Sequence, residues 1–400
     1  MPRHHYALTT GVLLALTLTA CGTAAPDPAP SSAGASTTTA SVGTATSSGS
    51  HSASASAPAV NGPKTANVFG PATWAIKPEI DTITTAKAHV YSNRVLLHTA
   101  TETVAYDPQG QEAWRLTRDT QTPPIIVPMS PTVIGLVTTG SSDNTGLAQS
   151  KPQMHVQIVD LADGSTVAER TVDAAENLAP ELTTPGLGIS NFGGPAQAIT
   201  PDGAIHTLED VDMAGAVGDT VITSKDEVIG TDTWSSEAFW DEPRYTDAAV
   251  AAANTTDLLL IEGQFGVEKT NVLVDAATGT EYARPECGAG AFYKPMVSSP
   301  NGDWNVSYGA VISPDHKVTC IGGGEDEKAV DLIAVTDQGR AFGATTQGPT
   351  LFVDARPGAE PTTEEVAPGT VLPSGVIDGD LAVHWDPSTG VLSANPFRTE

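Results

Sequence analysis

The side chains with the sharpest chemistry in this sequence are three cysteines, at 21, 287 and 320. A thiol can be a nucleophile, a metal ligand or half of a disulfide, and its surroundings decide which. Cys21 ends an apolar run, Gly11 to Ala20, that follows Arg3, His4 and His5. A basic start and an apolar stretch of about 7–15 residues make a secretory signal, too short to span a bilayer. Neither Cys287 nor Cys320 belongs to a CxxC or CxxCH pattern, so redox and haem-attachment chemistry have no motif here. The histidines at 89, 98, 155, 206, 316 and 384 are scattered without ligand-like spacing. His98, His206 and His384 lie in β-prone stretches and read as packing residues. There is no HExxH, no phosphate-loop GK pair and no SxxK, and "GLGISNFGG" from Gly186 to Gly194 only approaches GxSxG. The acidic groups Glu325-Asp326-Glu327 and Asp210/Asp212 complete no calcium loop and read as solvated turns. No catalytic residue, metal ligand or cofactor is expected.

Leu18-Thr19-Ala20-Cys21, followed by Gly22, resembles the lipobox of bacterial lipoproteins. The resemblance implies that the signal, residues 1–20, is removed and that the Cys21 thiol carries a diacylglycerol. It places the protein on the extracytoplasmic face of the cell membrane. The competing reading is a buried element with an incidental cysteine. Residues 21–62 are almost entirely Ala, Ser, Thr, Gly and Pro, with no large apolar side chains to offset ordering entropy, and form a disordered linker. As a flexible coil it reaches about 35 Å on average. With Cys21 taken by lipid, Cys287 and Cys320 remain in an oxidising compartment, where a disulfide between them is the simplest assignment. Two buried free thiols are the alternative.

With 19 Lys+Arg against 47 Asp+Glu, the 400-residue chain has a formal charge of −28. A nucleic-acid surface needs clustered basic residues, so nucleic acid is not expected as a partner. The acidity serves solubility and repulsion from other anionic surfaces.

The elements that would carry any site are short hairpins. "VAYDPQGQEAW", "QIVDLADGSTVA", "VLVDAATGTEYA" and "VHWDPSTGVLSA" each join a β-prone triplet, an Asp, a Gly-bearing turn and another strand. Their aspartates are Asp107, Asp160, Asp275 and Asp386, with weaker cousins at "ITPDGAIHTL", "ISPDHKVTCI" and "AVTDQGRAFG". A repeat of about 45–55 residues with several strands per unit is a propeller signature. The expected fold over residues 63–400 is all-β, a β-propeller of about seven four-stranded blades, with eight also fitting the spacing.

The hairpins resemble the pyrroloquinoline-quinone-type propeller repeat, A-x-D-x-x-T-G-x-x-x-W. Asp275, Thr278 and Gly279 keep its turn, as do Asp386, Thr389 and Gly390; Ala105, Asp107, Gly110 and Trp114 keep the start and the tryptophan. The tryptophan position is Ala168, Ala283 and Ala394 in the other three units, where smaller contacts must join one blade to the next. The cysteine pair and cofactor cage of a quinone dehydrogenase are missing.

One stretch interrupts the repeat. "TDTWSSEAFWDEPRYTDAAVAAAN" sets Trp234, Phe239, Trp240 and Tyr245 among charged residues, the composition of an interface hot spot. Aromatics folded back onto a blade are the alternative. The expected function is a membrane-anchored, non-catalytic binding or scaffold module for an envelope protein or ligand. A propeller enzyme, quinone-dependent or acting on polysaccharide, is the first alternative. A transporter's solute-binding lipoprotein is the second.

Overall fold

Asp107 accepts backbone N–H bonds from Gln109 and Gln111 through Oδ1, at 2.9 and 2.8 Å, and Gly110 turns the chain at φ +76°. The carboxylate satisfies amides that a tight turn leaves open, and glycine takes the left-handed conformation without a Cβ clash. The flanking strands Glu102–Tyr106 and Glu112–Thr117 therefore fold back antiparallel, with Ala105 opposite Trp114. Asp160 with Gly164 and Asp275 with Gly279 repeat the construction.

The structure, a computed structural model, describes residues 60–398 except 121, 142–151, 174–180, 184–185, 191–194, 210–212, 226–227, 233–236, 239–245, 266–267, 286, 288–295, 322–328 and 347–349. All of the described residues belong to one compact unit, Gly43–Glu400; a second unit, Met1–Val42, lies outside them. The described strands form eight antiparallel four-stranded sheets, and a single 3-10 turn, Ile83–Thr85, is the one helical element among them. Blades 1 to 7 span residues 87–117, 125–173, 181–208, 213–238, 246–283, 297–320 and 330–365, each with strands in chain order from inner to outer. Blade 8 takes three strands from residues 373–396 and its outer strand, Trp74–Ile76, from the N-terminal side of blade 1. An isolated bridge between Phe69 and Phe397 extends this closure.

Eight buried apolar clusters lie one at each blade junction, including the junction of blade 8 with blade 1, so the ring is closed. The run Leu258-Leu259-Leu260-Ile261 shows why. Leu259 and Ile261 pack toward blade 4, while Leu258 and Leu260 pack toward blade 6. A strand with both faces covered needs apolar residues at every position, and each buried Leu or Ile is worth about 1.5–3 kcal/mol. The all-β propeller expected from the repeat is thus the fold.

The blade count follows from how the ring is closed. Blades 1 to 7 each have a hairpin between third and outer strands, seven in all among the described residues. Asp386 belongs elsewhere: it sits between the second and third strands of blade 8, where Asp386 pairs with Val391. Its distance from Asp275 is therefore not a whole number of blades. An eighth sheet is completed by a strand from the start of the ring, which leaves no hairpin to count.

Candidate functional site

Because successive strands alternate in direction, the turns between inner and second strands and those between third and outer strands share one end of the ring. Polar side chains collect there. Several first serve the turns themselves. Burial pushes the Asp275 carboxyl up, but bonds from the Thr278 amide and hydroxyl, the Tyr282 hydroxyl and the Ala277 amide outweigh it and hold the group below its ordinary range. The Asp202 carboxyl is likewise held down, chiefly by the Ala204 amide and then by the Thr200 hydroxyl.

Among the described residues, two clefts open between neighbouring sets of turns. The larger, about 380 Å³, lies between blades 7 and 8 and is lined by Gln338, Arg340, Arg356, Asp380 and Phe397, among others. Thr336 starts the inner turn of blade 7, its hydroxyl accepting the Gln338 and Arg340 amides at 3.3 and 3.1 Å. The turn delivers Arg340 to Asp354, a buried carboxylate on the third strand of blade 7. Nε reaches Oδ1 at 2.9 Å and Nη2 reaches Oδ2 at 2.6 Å. The guanidinium carbon also lies 4.0 Å from the centre of the Phe397 ring. A bidentate ion pair stacked on an aromatic face is a rigid placement for an arginine. Arg356 approaches the same Asp354 Oδ2 at 3.7 Å. Across the cleft, Asp380 occupies a left-handed position, φ +53°, and accepts the Asp337 amide at 3.4 Å. Burial holds its carboxyl above the ordinary range, with the Asp337 charge adding to the effect.

The smaller cleft, about 180 Å³, lies between blades 5 and 6 and includes Asn254, Asp257, Asp303, Asn305 and His316. Asn254 is spent on its turn: Oδ1 accepts amides from Thr256, Asp257 and Leu258 at 3.1, 2.9 and 2.8 Å. At its margin the His316 ring stacks on Tyr282, centroids 3.8 Å apart, and the Tyr282 hydroxyl donates to Asp275 Oδ2. Among the described residues no group of three or more His, Cys, Asp or Glu is arranged to hold a metal ion.

Cys287 and Cys320 are bonded, Cα atoms 5.3 Å apart. The bridge ties the chain leaving blade 5 to the outer strand of blade 6, where Cys287 belongs to the apolar cluster at their junction. Cys21 and the aromatics Trp234, Phe239, Trp240 and Tyr245 lie outside the described residues, as do Asp210, Asp212 and Glu325-Asp326-Glu327. His98 and His384 are buried blade residues: His98 Nε2 meets His89 Nε2 at 3.2 Å, and the His384 ring stands edge-on to Phe69. His206 lies on the outer strand of blade 3, 3.1 Å from the Thr200 hydroxyl. The cleft between blades 7 and 8 was not anticipated. Its available signal was an arginine directly after a turn glycine in "TDQGR", in a chain with few basic residues.

No family model matches this chain, and no curated protein matches it. Among solved structures, a eukaryotic initiation factor is similar at 11% identity, covering 76% of this chain and 94% of that one with a TM-score of 0.38.

Proposed function

We propose that the protein is a lipid-anchored, extracytoplasmic binding or scaffold module that holds a partner at the cell envelope without catalysing a reaction. The observation that carries this reading is the order of parts along one chain: a lipobox-like Cys21, a low-complexity stretch, then a closed propeller tied by a disulfide. A tether of about 35 Å lets such a ring move clear of the headgroups while staying at the membrane. The Cys287–Cys320 bond supports an oxidising compartment, where such bonds persist. A ring of rigid blades presenting turns at one end suits recognition, since binding residues sit on loops held by a scaffold. Fold alone names no partner.

Metabolic labelling with a radioactive fatty acid tests the anchor. The label is expected on the full chain and lost in Cys21→Ala; label retained on that variant overturns it. Affinity purification from detergent-solubilised membranes tests the partner. An envelope protein recovered with the full chain is expected to be lost when Trp234 and Trp240 are both replaced by Ala, at unchanged melting temperature. A large fall in melting temperature would make those residues core and remove them from the interface.

A further inference from the structure

We infer that the cleft between blades 7 and 8 is a binding site for a neutral, polyhydroxylated ligand, a saccharide. The inference rests on reading the ring as a binding module and stands apart from its lipid anchor. The volume, about 380 Å³, falls in the range of small-ligand sites. Its charges cancel: Arg340 and Arg356 in the lining are offset by Asp354, buried beneath them on blade 7, and by Asp380 across the cleft. The nearby Asp337 is turned toward blade 6, where its Oδ1 accepts the Asn301 amide at 3.0 Å. An electroneutral cleft in a chain of net charge −28 has no field to hold an anion, and its guanidiniums oppose a cation.

What the cleft does offer is donors and acceptors side by side. Asp354 takes Nε and Nη2 of Arg340, which leaves the two N–H groups of Nη1 without a partner among the described residues. Asp380 accepts the Asp337 amide on Oδ1, and the carboxylate's other lone pairs, together with the side-chain carbonyl of Gln338 in the same lining, are acceptors for a ligand. Adjacent hydroxyls on a sugar ring both donate and accept, and planar guanidinium, amide and carboxylate groups match them in pairs. Phe397, Pro357 and Pro396 supply the apolar lining against which the C–H face of a sugar packs. The polar groups are fixed before any ligand arrives, Arg340 by its ion pair and Phe397, Asp380 by the Asp337 amide, so little ordering cost opposes binding.

Calorimetric titration of the full chain with maltotriose, cellotriose and chitotriose, and with trigalacturonate as an anionic control, tests the site. At least one neutral trisaccharide is expected to bind and trigalacturonate is not. Gln338→Ala and Asp380→Asn should each weaken that binding about tenfold, ~1.4 kcal/mol, with the melting temperature unchanged. Asparagine tolerates the left-handed backbone at 380, so loss of binding there is not loss of fold. No heat with any neutral trisaccharide, preference for the anion, or undiminished binding in both variants overturns the assignment. Because this cleft plays no part in fatty-acid labelling, that result can fail while the anchor stands.

Discussion

Trp74 and Trp114 hold the same place in consecutive blades. Each lies on an outer strand opposite an alanine of the third strand, Ala394 for Trp74 and Ala105 for Trp114. Each donates its indole N–H across the junction to a carbonyl in the next blade's turn, Pro108 or Leu161, at 2.9 Å. Each covers that turn's glycine: an added Cβ on Gly110 would lie 2.7 Å from the Trp74 ring, and on Gly164 2.8 Å from the Trp114 ring. The alanine at 394 is therefore no loss of the repeat's tryptophan, which the closing strand supplies as Trp74. Where Ala168 does replace it, Ala168 abuts Gly203 and Arg170 Nε donates to the Gly203 carbonyl at 2.5 Å. A guanidinium bond there takes over from the indole.

Trp114→Ala should destabilise the ring by about 3–5 kcal/mol, the cost of emptying a fully buried aromatic site. Trp74, only half-buried, should cost less on truncation but act at the closure. Chemical denaturation of both variants checks the order; equal stability of Trp114→Ala and the parent would refute the docking role.

Gly164→Ala should also destabilise, through two additive strains. The residue sits at φ +75°, and its new methyl would press on the Trp114 ring. Gly358, at φ +72° with open space around it, isolates the first strain. Gly358→Ala should therefore lower the melting temperature less than Gly164→Ala.

Reducing the Cys287–Cys320 bond should lower stability by about 3–4 kcal/mol in the chain-entropy account. Cys320 is exposed, so a phosphine reductant can reach the bond in the folded protein. Thermal melts with and without reductant measure the loss. Both thiols reacting with a maleimide in denatured, unreduced protein would show that no bond forms.

Stability should fall as pH drops from about 6.5 to about 4. Burial pulls the His384 imidazole down to about 4; it does the same to His98, where positive charge on His89, Arg118 and Lys87 adds to the effect. In this window the unfolded chain binds protons that the folded chain refuses, so unfolding becomes easier as pH falls and the loss levels off below about 4. Each histidine contributes on the order of 3 kcal/mol at most. Denaturant midpoints measured across the window should slope less in His384→Leu; an unchanged slope would exclude that histidine.

The hairpins and the all-β class were legible because a turn is a local event. Asp107 and Gly110 satisfy and bend their own backbone within five residues, so type and spacing carry the information. The blade count was less legible, since Asp386 belongs to a different hairpin of its blade and the eighth outer strand comes from Trp74–Ile76 at the other end of the chain. The Cys287–Cys320 pair could be read by elimination, whereas the approach of their Cα atoms to 5.3 Å depends on how two blades pack. The cleft between blades 7 and 8 left only one local trace, the arginine after the turn glycine in "TDQGR". Arg340, Asp354, Asp380 and Phe397 come from separate turns and strands of two blades, and no periodicity relates them. By itself the sequence determined the turns, the strands and the apolar faces, because those depend on neighbours along the chain. Only the closed ring decided which turns meet, because that depends on contacts between strands far apart in sequence.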